Sequence, residues 1–225
     1  MYRLVPFSQI KENRKRLIPE IAEDNIGLEY LLTYCVDNDI DTYSSCGDVH
    51  PYIEFTINEK TKDVLYGMCS LLMNSQDVRE YISVRLGSTS GNNVCRISYY
   101  DNDNINTVQF FIIIINYLKK ALTRDNNEAW VWESANEVVN FTGKYGFDNY
   151  LEVVKDMDLN SGEDTYMYYL AIHSTNYKKI YDFQGKYFPN IIKDYTNQGY
   201  DDYSVGYYTD DIRALLASKK LVRKK

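Results

Sequence analysis

Apolar residues recur at three- and four-residue spacing in some stretches of the chain and alternate with polar ones in others, so helices and strands are expected in mixed order. Ile21, Leu28, Leu31, Leu32 and Cys35 line one face of a first helix over residues 19–37, with Pro19 suited to its first turn and Gly27 weakening or splitting it. An extended segment over 40–44 and a turn over 46–51 lead into residues 52–57. There Tyr52, Glu54 and Thr56 face one side and Ile53, Phe55 and Ile57 the other, the period of a half-buried strand. Thr61 suits an N-cap for a helix carrying Val64, Leu65, Met68, Leu71 and Leu72. Residues 81–86 and 94–100 read as strands joined by G-S-T-S-G-N-N, a hairpin connection. Residues 105–122 read as a helix: consecutive isoleucines favour strand on propensity, but the length and the sequence Tyr117, Leu118, Lys119, Lys120 favour helix. The resulting α-β-β-α-β-β-α order predicts an α+β sandwich with helices on one face of an antiparallel or mixed sheet.

The polar stretch 123–127 marks a boundary, giving an α+β domain over 1–123 and a mainly α-helical domain over 124–225. In the second part, residues 128–141 read as a helix bearing Trp130, Val131, Val138 and Val139, and 147–157 as another. Residues 166–173 form an aromatic and aliphatic run that fits a buried strand or part of a helix. Residues 177–195 read as helical around Gly185, with Pro189 as a break. Thr209 suits the cap of a last helix with Asp210 and Asp211 in its first turn and lysines at its end.

Composition adds constraints. In 225 residues, 44% hydrophobic, a sizeable core can form, and 23 tyrosines offer rings with polar tips that serve cores and binding surfaces alike. The net charge of −7 conceals basic ends. Between residues 18 and 217 there are 15 basic and 31 acidic residues, so the body repels phosphate and generic nucleic-acid binding is not expected. Cys35, Cys46, Cys69 and Cys95 lack C-x-x-C spacing and no secretory apolar region precedes them, which fits a reduced, cytoplasmic protein. The apolar run 108–115 is far short of the ~20 residues of a membrane span.

The richest chemistry lies in T-Y-S-S-C-G-D-V-H-P, residues 42–51. Thr42, Ser44, Ser45, Cys46 and Gly47, between a helix and a strand, resemble the T-x-S-S-C-S-G-R segment of the wybutosine-synthesising Tyw3-like family. The segment is also similar to short phage and bacterial proteins with an S-C-x-G-H segment leading into an aromatic strand. The resemblance implies the fold of the N-terminal half and, for the family, methylation of a modified tRNA guanosine. The serine between Cys and Gly is missing, and Asp48 stands near the family's arginine, which removes the groups suited to an anionic ligand.

On chemistry alone, Cys46 and His50 could form a nucleophile and base across the turn, with Ser45 beside them; otherwise Cys46 is a small buried residue, the serines satisfy turn amides and His50 is at the surface. Cys46, His50, Cys69 and Cys95 lack the spacing of a zinc site, and the glycine-rich 87–93 lacks the lysine and strand-to-helix context of a phosphate loop, so no metal or cofactor is expected. Glu133 and Glu137, one helical turn apart, and Asp156 and Asp158 could supply an acid/base pair, or only solvated faces. Finally, residues 199–211, G-Y-D-D-Y-S-V-G-Y-Y-T-D-D, place Tyr200, Asp201, Asp202, Tyr203, Tyr207, Tyr208, Asp210 and Asp211 close together. Tyrosines anchor interfaces, and aspartates can imitate phosphates in a basic groove; the alternative is a polar loop.

Three readings stay open. The favoured one is a non-catalytic acidic binding protein, such as a phage or mobile-element inhibitor of a defence or nucleic-acid-handling enzyme, acting on a partner with a basic surface or sequestering a small nucleotide ligand. The others are an RNA- or nucleotide-modifying enzyme, as the resemblance implies, and a structural protein that assembles with itself.

Overall fold

A computed structural model describes residues 7–48, 50–89, 92–99, 105–123, 129–157, 164–187, 192–197 and 203–209, with the backbone alone at 7–10, 89, 154–157, 164, 165, 177, 184 and the last two segments. The protein is α+β and forms two units, residues 1–83 with 96–126, and residues 84–95 with 127–225.

The first unit contains α1 (Phe7–Ala22), α2 (Ile26–Asp37), β1 (Thr42–Cys46), β2 (Tyr52–Thr56), α3 (Lys62–Met73), the single turn α4 (Gln76–Arg79) and α5 (Thr107–Ala121). It also holds the ends of β3 (Ile82–Thr89) and β4 (Asn92–Tyr99), and its strands lie in the order β1-β2-β4-β3. The expected first helix is two helices, and the break precedes Gly27. Glu23 and Asp24 take positive φ angles of 50° and 65°. Asn25 then caps α2, its side chain accepting the Leu28 N–H at 3.0 Å. Gly27 serves packing instead: a Cβ there would sit 2.6 Å from the Val108 carbonyl oxygen of α5.

β2 is as expected, with Ile53 and Phe55 fully buried and Tyr52, Glu54 and Thr56 half-buried. Thr61 is not a side-chain cap of α3. Its hydroxyl donates to the Thr56 carbonyl at 2.9 Å and accepts the Asn58 N–H at 3.2 Å, closing the preceding turn. The isoleucine run of α5 is helical. Its propensity penalty is at most ~0.7 kcal/mol per residue, whereas burial of Phe110, Phe111, Ile114 and Ile115 contributes about 1.5–3 kcal/mol each. A reciprocal capping box between Asn106 and Gln109 starts the helix.

The second unit is not mainly helical among the described residues. Besides α6 (Ala129–Gly143) and α7 (Tyr177–Tyr187) it contains β5 (Asp148–Met157), β6 (Asp164–Ser174), β7 (Ile192–Asn197) and β8 (Tyr203–Thr209). With β3 they run in the order β3-β5-β6-β8-β7, and each neighbouring pair in that series is antiparallel. The helix expected over 147–157 is therefore a strand, whose ten residues pair one-to-one with β6. The strand alternative for 166–173 is the one realised. The helix expected over 177–195 stops at Tyr187, and 192–197 forms β7. Thr209 ends β8, and the helix expected beyond it lies outside the described residues.

α6 packs on one face of β5. Asn149 reaches into it, donating to the Val139 carbonyl at 3.1 Å and to Thr142 Oγ1 at 2.6 Å. Leu151 and Val153 share that buried face. Of the two tryptophans it is Trp132 that fills the core, fully buried, while Trp130 is 54% exposed.

Candidate functional site

The segment over 42–57 holds β1, the turn that carries His50, and β2. Ser44, Ser45 and Cys46 stand opposite Glu54, Ile53 and Tyr52 across β1 and β2, with an irregularity at Tyr43. Consecutive residues of a strand point to opposite faces, so Ser45 and Cys46 diverge. Among the described residues, no hydrogen bond joins Cys46 to His50, which is exposed. Ser44 donates instead to the Glu54 carboxylate, which is also paired with Arg96 at 3.4 Å. The Arg96 guanidinium lies 3.8 Å from the centre of the Tyr52 ring and donates to Ser98 Oγ. This is a satisfied polar network on the sheet face away from Ile53 and Phe55. Of the positions that carry the Tyw3-like resemblance, Gly47 is buried against Asn25. Thr42, Ser44 and Ser45 border a groove of about 460 Å³ with Leu17 and Ile21 of α1.

The other chemically able groups are dispersed. Cys69 and Cys95 are buried, as is Cys35, whose thiol burial pushes up and so keeps protonated. No group of three or more His, Cys, Asp or Glu among the described residues is placed to hold a metal ion. Glu133 and Glu137 lie exposed on α6. Asp156 belongs to β5, and Asp158 lies outside the described residues. Among the described residues, no helix is long and apolar enough to cross a membrane.

The tyrosine-rich 199–211 is partly a strand. Tyr203, Tyr207 and Tyr208 belong to β8, while Tyr200, Asp201, Asp202, Asp210 and Asp211 lie outside the described residues. The register gives β8 a setting that the sequence did not suggest. Tyr208 stands opposite Tyr169, Tyr169 opposite Glu152, and Glu152 opposite Arg85, a row across four adjacent strands.

Of that row, Arg85, Glu152 and Tyr169 lie on the face of the second unit's sheet opposite α6. Since Asn149, Leu151 and Val153 point to the helix, Tyr150 and Glu152 point away from it. Directly paired residues share a face, so Tyr169 and Arg85 join Glu152 there. Arg85 Nε donates to Glu152 at 3.2 Å, and its guanidinium lies 4.7 Å from the centre of the Tyr150 ring. Tyr150 in turn lies 6.0 Å from both Tyr169 and His173, and Met167, next along that side of β6, is 48% exposed. The arginine and carboxylate neutralise each other beneath the rings, which leaves an aromatic surface edged by polar tips. The signal for it was the alternation of Met167, Tyr169, Ala171 and His173, visible once residues 164–174 are known to be a strand. Comparison with protein-family models, curated proteins and solved structures finds no match for the chain.

Proposed function

We propose that this protein is a non-catalytic binding protein that engages the basic surface of a protein partner through the tyrosine-bearing open face of its second sheet. The observation that carries this is the row of Arg85, Glu152 and Tyr169 with Tyr150 and His173 beside it. Half-exposed tyrosines on a rigid sheet bury much area on association at low cost in side-chain entropy. The acidic body, with 31 acidic to 15 basic residues over 18–217, supplies charge complementarity to a basic partner. Inhibition of a nucleic-acid-handling or defence enzyme is the role that fits, because such enzymes present basic grooves to phosphate.

The test is affinity capture from lysate of the source cell or its host, with wild type beside a Tyr150→Ser/Tyr169→Ser variant and a Tyr181→Ser control on α7. Support is a stoichiometric partner that is held by wild type and the control and lost by the double variant. Failure to recover such a partner, or equal recovery by all three proteins, overturns the reading.

A further inference from the structure

α7 lies on the covered side of the second unit, where Phe183 and Tyr187 pack against Phe141 of α6 at ring-centre distances of 6.1 and 5.3 Å. Beside it opens a cleft of about 400 Å³, within the ~300–1,000 Å³ of small-molecule sites. Its wall is aromatic: Tyr145 and Phe147 contact Phe183 at 4.9 and 5.0 Å, and the Tyr145 and Tyr187 hydroxyls share a hydrogen bond of 2.5 Å. Its rim is cationic. Lys178, Lys179 and Lys186 line it with a single carboxylate, Asp182.

Three features of these lysines are unusual for their setting. Lys178 and Lys179 occupy the first turn of α7, which holds no acidic residue. The helix dipole opposes cations there and favours anions, so two lysines at that end raise an already positive potential. Neither Lys178 nor Lys186 has a salt bridge among the described residues, in a chain with an excess of carboxylates. Lys179 is held in place, donating to the Gly146 carbonyl at 3.1 Å and lying 4.7 Å from the centre of the Phe147 ring. Gly146 takes φ +69°, a conformation that glycine adopts without strain, and so turns its carbonyl to this lysine. An ammonium has three N–H donors, and the Gly146 carbonyl takes one. A local electrostatic penalty beside a concave aromatic wall is the pattern of a site completed by its ligand.

We propose that this cleft binds a ring-bearing phosphate, of which a nucleoside monophosphate is the simplest form. The phosphate is received by Lys178 and Lys179 at the positive end of α7, Lys186 of the last turn adds a further cation to the cleft lining, and the ring lies along the wall of Phe147, Phe183 and the tyrosine pair. Lysine suits the phosphate as a point charge, and the aromatic wall excludes water from the ring. The site faces away from Tyr150 and Tyr169, so it is independent of partner docking on the open face.

The test is calorimetric titration of the full chain with each of the four nucleoside monophosphates and with inorganic phosphate, at about 100 mM salt to limit screening. At least one nucleotide is expected to bind more tightly than inorganic phosphate, and Lys178→Ala/Lys186→Ala to weaken it roughly tenfold or more. Lys178→Ala alone, which relieves repulsion in the first turn, is also expected to weaken binding while its melting temperature holds or rises, which separates lost binding from lost folding. Lys119→Ala/Lys120→Ala on α5 and Tyr150→Ser/Tyr169→Ser are expected to bind as wild type does. No nucleotide binding up to about 1 mM, equal affinity for inorganic phosphate, or affinity untouched by the α7 substitutions would each overturn the proposal.

Discussion

At the scale of single residues, the tyrosine pair beneath the α7 cleft makes a pH-dependent contribution to stability. Burial, followed by the hydrogen bond and charge interaction with Tyr187, pushes the Tyr145 phenol up to about 12. An unfolded tyrosine titrates near ~10, so the folded state keeps a proton that the unfolded state has lost. The contribution is complete below that lower value and disappears as pH rises towards the higher one. Urea denaturation of Tyr145→Phe should therefore lose stability less steeply over this alkaline window than wild type does; equal slopes would contradict the assignment. Gly27 tests packing without ionisation. In Gly27→Ala the new Cβ meets Val108 O at 2.6 Å and Val108 Cα at 2.8 Å, both backbone atoms that cannot rotate away. The gain in helix propensity is ~1 kcal/mol, and separating two packed helices costs more, so a net loss of about 2 kcal/mol is expected by chemical denaturation.

At the scale of elements, local signals were legible wherever one segment's own pattern decided its conformation. The 52–57 alternation gave β2, and the apolar spacing after Thr61 gave α3. α5 was legible as well, and its start shows why: Asn106 and Gln109 satisfy each other's backbone N–H groups at 2.9 Å. Asn106→Ala should cost about 1 kcal/mol, while Asn106→Ser should retain most of the stability, as read from denaturation midpoints. The second unit was less legible, because its strands are stabilised by partners distant in sequence. In β5, Leu151 and Val154 also fit helical spacing, and the decisive fact is the ten-residue pairing with β6, which no local window contains. In α6 the sequence pattern singled out Trp130, but Trp132, which points about 200° away on the helix, is the buried one, a choice that only tertiary packing makes. The candidate site suffered the same way. Cys46 and His50 drew attention by chemistry, yet Ser45 and Cys46 lie on opposite faces of a strand. Tyr150, Tyr169 and Arg85, far apart in sequence, meet only through the register.

At the scale of the whole molecule, charge governs what the protein can approach. Few of the acidic residues over 18–217 are offset by the described ion pairs, several of which, such as Arg14–Asp41 and Lys15–Asp37, are exposed and contribute little. A field of this sign accelerates encounter with a basic partner and repels nucleic acid, and salt weakens both effects. Raising ionic strength from about 50 to about 500 mM should slow association with the captured partner by roughly tenfold or more. Dissociation should change much less, because it is governed by desolvated contacts such as those of Tyr150 and Tyr169. Stopped-flow or surface-based kinetics separate the two rates. Equal sensitivity of both rates would place the charge inside the contact and remove the tyrosine face from its central role. A random-sequence DNA duplex should show no binding under the same conditions, because the acidic body offers too few cations to displace the duplex's condensed counterions.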